Sequence, residues 1–283
     1  MRILITGGLG FIGRELTRQF LAEGGHDIVL VDILSEQVHG TYPDYSEITD
    51  NAEVTLIRKD ICTPGVLQDA LKGVDVIYHL AAETGTGQSM YQIQQYYRTN
   101  VMGTALLLEE IVKNPALRPK SLILSSSRSI YGEGAYVRND AVDPESAPRY
   151  YPTSRSVADM NAGRFEFEVD GAALVPVATR ETDPADPRSL YAASKLSQEQ
   201  ICEIACATVD VDYVALRLQN VYGPGQSLRN PYTGIMSIFA NILRQGGQID
   251  IFEDGKESRD FVYVADVASA FRAAVDLAPD APR

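Results

Sequence analysis

Arg2-Ile3-Leu4-Ile5-Thr6-Gly7-Gly8-Leu9-Gly10-Phe11-Ile12-Gly13 opens the chain as an apolar run that ends abruptly in glycines. Phe11, Ile12, Leu16 and Phe20 then recur at helical spacing, so a strand turns straight into an amphipathic helix. Gly7, Gly10 and Gly13 follow G-x-x-G-x-x-G, one residue longer in the first gap than the usual dinucleotide fingerprint. Side chains at these positions would keep a pyrophosphate off the backbone N–H groups, and Gly13 lets the helix pack closely on the strand. The helix N-terminus adds partial positive charge at the same place. A second apolar run, 28–31, closes in Asp32, nineteen residues after Gly13. A carboxylate there accepts hydrogen bonds from an adenosine ribose and repels a 2′-phosphate. Ile33 and Leu34 supply no cation to offset that repulsion. The unit therefore predicts NAD rather than NADP, held by Gly7, Gly10, Phe11, Ile12, Gly13 and Asp32.

The alternation continues outward. Strand-like runs at 54–57, 74–80, 122–124 and 213–218 are separated by helical stretches near 64–71, 99–113 and 191–206. Buried strands alternating with amphipathic helices predict an α/β fold, a Rossmann-type doubly wound parallel sheet. Regularity fails between 133 and 187, a stretch rich in Pro, Asp, Arg and Ala that reads as an irregular excursion from the sheet. The expected division is an NAD-binding domain over 1–221, interrupted by that insertion, and a smaller C-terminal substrate-binding region over 222–283. Residues 259–278 are expected to pack back on the first domain.

The 283 residues are 45% hydrophobic and 22% charged, a composition suited to globular packing. Lys plus Arg total 25 against 38 Asp plus Glu, giving a net charge of −13. That field repels polyanions, so neither nucleic acid nor an anionic membrane surface is an expected partner. Cys62, Cys202 and Cys206 are too few for a disulfide framework, and Cys202 and Cys206 alone make no closed metal site. No metal is expected. With no signal peptide before the first strand and no apolar window of about 18 residues, a cytoplasmic location is expected.

Tyr191-Ala192-Ala193-Ser194-Lys195 is the second informative stretch, because residues four apart on a helix project to one face. A phenol with a pKa near 10 is a poor base at neutral pH. A neighbouring ammonium favours the phenolate, and bringing it to neutrality takes about 4 kcal/mol. A dry cleft beside a cationic nicotinamide is the setting in which the pair is expected to reach that value.

Together, the glycine turn, Asp32, His79-Leu80-Ala81-Ala82, Tyr191 with Lys195, the run 217–224 and Ser258-Arg259-Asp260-Phe261-Val262 resemble an extended short-chain dehydrogenase/reductase of the nucleotide-sugar epimerase/dehydratase family. The resemblance implies that Ser127 hydrogen-bonds the reacting sugar oxygen and completes a catalytic set with Tyr191 and Lys195. Ser125 would lie near the nicotinamide, Asp60 and Ile61 would flank the adenine, and Leu80, Ala81 and Ala82 would line the cofactor. Asn220 and Arg259 would hold the diphosphate, Phe252 would lie near the base, and Glu83, Thr84 and Arg128 would face the sugar. Ser126 is read as strand packing.

The family's 4,6-dehydratases carry an Asp–Glu pair directly after the catalytic hydroxyl residue, and its decarboxylating members usually have a Glu two places after it. This chain has Arg128 and Ser129 there, neither of which supplies a carboxyl group. What remains suffices for 4-epimerisation: C4 is oxidised, the planar ketose turns, and hydride returns to the other face. The segments 83–91, 127–134, 219–227 and 230–234 are most similar to those of epimerases acting on dTDP-L-rhamnose to give dTDP-6-deoxy-L-talose. A UDP-hexose epimerase, a net dehydrogenase or reductase, and an NAD-sensing module are the other readings. The family's pattern also implies a homodimer packed through helices near 99–113 and 190–208. It continues through further strands and helices beyond the position of Arg283, so the chain reads as shortened there.

Overall fold

The computed structural model describes residues 1–41, 43–227, 230, 232 and 234–277. Pro231 and Thr233 of the expected sugar-pocket segment, Ala278, and the last residues to Arg283 lie outside them. Five strands come first in the chain: β1 (Arg2–Thr6), β2 (Asp27–Asp32), β3 (Val54–Arg58), β4 (Val76–His79) and β5 (Ser121–Ser127). The excursion supplies β6 (Tyr136–Arg138), β7 (Glu168–Val169) and β8 (Ala172–Pro176). Then come β9 (Asp212–Leu218), β10 (Asn220–Tyr222) and β11 (Phe261–Tyr263).

The central sheet is six-stranded and parallel throughout, in the order β3-β2-β1-β4-β5-β9. The order reverses at β1, so a crevice opens beyond the carboxyl ends of β1 and β4, where open α/β sheets bind ligands. Both faces of the sheet are covered. Leu4, Val29, Ile77 and Leu122 pack with Leu107, Ile111, Cys202 and Cys206 on one side. Ile3, Ile5, Ile28 and Leu30 pack with Leu16, Phe20 and Phe271 on the other. The two helical cysteines are therefore core fillers, and all three thiols are free.

The helix Val264–Leu277 lies on the helix Phe11–Glu23, where Phe271 is buried against Tyr78 and Arg272 pairs with Glu23. Among the described residues no helix is long and apolar enough to cross a membrane.

Two elements differ from the sequence expectation. β5 extends to Ser127 because Ser125, Ser126 and Ser127 pair with Leu216, Arg217 and Leu218 of β9. Backbone pairing carries this polar tail, which apolar periodicity does not detect. The 133–187 stretch is not irregular throughout: β6, β8 and β7 form an antiparallel sheet, and Ser156 caps the short helix Val157–Asn161. Strands of two to five residues are too short to display a period. Polar contacts hold the layer instead: Asp183 accepts from Arg149 Nε at 3.0 Å, from Arg149 Nη2 at 2.7 Å and from the Tyr151 hydroxyl at 2.9 Å.

Candidate active site

A cleft of about 840 Å³ opens at the switch point, a size suited to a cofactor with a substrate beside it. The glycine turn forms its floor. Gly7 sits at φ +69°, and a Cβ on it would stand 2.8 Å from the Ala81 nitrogen. A Cβ on Gly13 would stand 2.4 Å from the Gly7 oxygen. Glycine is thus required by contact as well as by conformation.

Asp32, at the end of β2, accepts the N–H groups of Leu9 at 3.0 Å and Leu34 at 2.8 Å. It therefore shapes the turn as well as bordering the cleft. His39 Nε2 approaches it at 3.5 Å, a neighbour that only the fold brings near. A glycine cradle at a helix N-terminus, closed by a strand-end carboxylate, fits NAD. Asp32→Ala is expected to weaken NAD binding by about tenfold to a hundredfold, the worth of one or two charge-assisted hydrogen bonds. Calorimetric titration with NAD and NADP checks this, and an unchanged affinity for NAD would contradict it.

Across the cleft, the helix Leu190–Val209 starts at Ser189, whose hydroxyl accepts the Ala192 N–H at 3.1 Å. That cap fixes where the helix begins, so Tyr191 and Lys195 project together toward the end of β5. Tyr191 and Ser127 line the cleft together, and the Ser127 hydroxyl acts on the Tyr191 phenol. Lys195 is 2% exposed, and its Nζ donates to the Ser125 carbonyl at 2.8 Å.

The electrostatics correct the expected order of effects. Burial raises the phenol of Tyr191 above its ordinary value, with the Ser127 hydroxyl acting in the opposite direction. Burial also lowers Lys195 to about 8, while Cys202 and Glu199 act to raise it. The lysine is spent on a backbone carbonyl, so the protein's own groups keep the phenol neutral at neutral pH.

Asp60, expected to flank the adenine, lines the cleft. Burial alone would raise it, but the Cys62 N–H at 2.7 Å and Arg98 at 2.6 Å hold it below the usual carboxylate range. Ile61 is buried beside it. Leu80, Ala81 and Ala82 follow β4, shaped by the bonds from Leu80 N–H to the Thr6 carbonyl and from Ala81 N–H to the Thr6 hydroxyl. His79 just before them is neutral, since burial pushes it down to about 3, and it bridges the hydroxyls of Thr6 and Thr104 at 2.7 and 2.8 Å. Glu83, Thr84, Arg128, Asn220 and Arg259 also line the cleft. Asn220 Nδ2 donates to the Asp260 carbonyl at 3.0 Å, which ties β10 to the segment before β11.

Phe252 is not brought to the cleft. Its ring is 78% exposed, and the residue opens a turn closed by the Gly255 N–H. Ser126 is more than strand packing, because its hydroxyl donates to the Glu199 carboxylate.

Asn100 and Glu199 were not expected from the sequence. Asn100, fully buried in a π-helical turn, bonds the Glu83 N–H at 2.8 Å, the Glu83 carbonyl at 3.1 Å and the Ser194 hydroxyl at 2.9 Å. It locks the loop after β4 to the helix that carries Tyr191. The signal in the sequence is faint: one amide ahead of the apolar stripe of a long helix.

A family model described as the NAD dependent epimerase/dehydratase family matches residues 3–160 and 169–282. The chain belongs to this family. Within the NAD dependent epimerase/dehydratase family, it is 37% identical over 282 residues to a dTDP-L-rhamnose 4-epimerase of Burkholderia thailandensis, covering 99% of this chain and 74% of that one. It is 30% identical to a UDP-glucose 4-epimerase of Mycolicibacterium smegmatis, covering 96% and 72% respectively. Among solved structures it resembles a UDP-glucuronic acid 4-epimerase from Bacillus cereus in complex with UDP-glucuronic acid and NAD. The TM-score is 0.73 at 26% identity, over 98% of this chain and 73% of that one.

Proposed function

We propose that the protein is an NAD-dependent nucleotide-sugar 4-epimerase that interconverts dTDP-L-rhamnose and dTDP-6-deoxy-L-talose. One observation carries this reading: Tyr191 and Ser127 line a single cleft together with a glycine cradle that suits a dinucleotide. Tyr191, once its phenol has lost its proton to solvent, takes the proton of the sugar 4-hydroxyl on Oη as phenolate and later returns it. Ser127 Oγ bonds both the phenol and the sugar oxygen, fixing the line of proton transfer. NAD, when bound, supplies the acceptor of the C4 hydride and the donor for its return, so no external oxidant is consumed. Lys195 holds its charge beside the Ser125 carbonyl at the nicotinamide end.

Arg128 and Ser129 stand where a dehydratase needs an acid and a base, which supports simple epimerisation. The similarity to the Burkholderia relative supports the dTDP-deoxysugar. Asn220 and Arg259 hold the diphosphate, Glu83, Thr84 and Arg128 face the sugar, and the remaining cleft residues named above hold NAD. Residues 1–221 form the NAD-binding domain and 222–283 the substrate region. The location is cytoplasmic. Two copies pair through the helices Gly103–Lys113 and Leu190–Val209, a reading supported by exposed Met102 and Ile204 at that surface.

The test is incubation with dTDP-L-rhamnose and with UDP-glucose, with products identified by NMR. Formation of the talose epimer is expected. Turnover of UDP-glucose alone favours the second reading, a UDP-hexose epimerase, which the similarity to the Mycolicibacterium smegmatis UDP-glucose 4-epimerase supports. Sustained release of NADH would overturn both.

A further inference from the structure

The stripe that carries Tyr191 and Lys195 continues one helical turn further to Glu199, a carboxylate only 7% exposed. It meets two neighbouring strands at once. Ser126 of β5 and Arg217 of β9 are paired across the sheet, and both bond it. Arg217 Nη2 reaches Oε2 at 2.8 Å and Nε reaches Oε1 at 3.1 Å, a forked grip on the carboxylate. The other arm of the guanidinium donates to the Tyr131 hydroxyl at 2.5 Å and to the Glu181 carbonyl at 3.1 Å. Along a single strand, then, Ser125 receives Lys195, Ser126 bonds Glu199, and Ser127 lines the cleft with Tyr191.

A buried carboxylate is costly to keep unless its partners compensate it. A hydrophobic pair would close helix on strand without that cost, so the fold retains the charge at this point for something packing alone does not provide.

We propose that the Glu199–Arg217 pair is a positioning device for the Tyr191–Lys195 pair. It clamps their helix to the strand that bears Ser127, and it sets a fixed negative charge one turn from the Lys195 amine. The inference rests on the reading of Tyr191 and Lys195 as the working pair.

The ionisable neighbours are few. Lys195 faces His79 of β4, which is neutral, together with Tyr191, Glu199 and Cys202 on its own helix. Glu199 faces Arg217 and Tyr213 of β9 as well as Cys202, and Arg217 in turn meets Tyr131. Burial holds both Cys202 and Tyr213 in their neutral forms. The remaining full charges are Lys195, Glu199 and Arg217. Removing the carboxylate leaves two cations together, so the ammonium is disfavoured and Lys195 loses its proton at lower pH. Removing Arg217 instead leaves the carboxylate uncompensated and moves Lys195 the other way.

The test is NMR titration of protein carrying ε-13C-labelled lysine, with the buried resonance assigned by Lys195→Met. In Glu199→Gln the Lys195 midpoint is expected to fall by about one pH unit. In Arg217→Gln it is expected to rise, and in the double variant to return toward the parent value. Ser126→Ala, which removes a hydrogen bond but no charge, leaves it in place. Equal midpoints in the parent and both single charge variants overturn the proposal. So does failure of both charge variants to fold, which would make the pair a folding element only. The midpoint is read without substrate. A protein that shows the shifts but turns over no nucleotide sugar refutes the function and keeps the clamp, whereas an active enzyme with unmoved midpoints does the reverse.

Discussion

Tyr191→Phe is expected to lower kcat by about a thousandfold while the protein stays folded and still binds NAD. The size is that of losing general acid–base catalysis at the reacting oxygen. The phenylalanine ring keeps the edge-on packing against Tyr96, whose centroid lies 6.4 Å away, so only the hydroxyl is lost. Ser127 Oγ retains the Ser129 N–H at 3.2 Å and is not stranded. Because burial raises the phenol, the parent enzyme's rate is also expected to climb with pH as Tyr191 ionises, and the variant is expected to lose that climb. Steady-state rates across pH, with NAD measured after denaturation of the purified protein, check both parts. A variant that turns over within tenfold of the parent would remove Tyr191 from the mechanism.

Gly13→Ala acts on the opposite wall. The new Cβ would meet the Gly7 oxygen at 2.4 Å and the Gly8 carbonyl carbon and Cα at 2.8 Å. All three are backbone atoms of a turn anchored by the Gly7 N–H on the Val31 carbonyl at 2.7 Å. None can swing aside like a side chain, so helix and turn must separate. The expected cost is about 1–3 kcal/mol of stability, with loss of bound NAD because the N–H groups that would face its pyrophosphate are displaced. Thermal denaturation and NAD content measure the two effects separately. An alanine variant with parental melting and full NAD would show that the close packing is not required.

The outline of this molecule was legible because its first half repeats one physical motif. Apolar strands end in glycine or acid and feed amphipathic helices, and period alone separates them. The cleft was legible at its two ends, through the glycine turn and the Tyr191–Lys195 spacing. The middle was not. Ser126 and Glu199 lie far apart in the chain and meet only when the long helix is laid on β5, so neither neighbourhood hints at the other. Asn100 acts through both its amide atoms on a loop seventeen residues earlier, and no periodic pattern encodes such a bond. Phe252 was expected near the base only from the family resemblance, and here it lies 78% exposed at a turn outside the cleft. The Tyr191 phenol shows a third limit. Spacing revealed its partner, while the sign of the net effect depended on how deeply the fold buries both groups.

The seating of the last described helix against the first has a consequence for synthesis. Leu16 and Phe20 emerge from the ribosome long before Phe271, which shares their core cluster. Until it arrives, the outer part of the first helix's apolar stripe lacks its cover. Translation must therefore reach Phe271 before this half of the core can close, and a stripe left bare in the meantime is open to wrong partners.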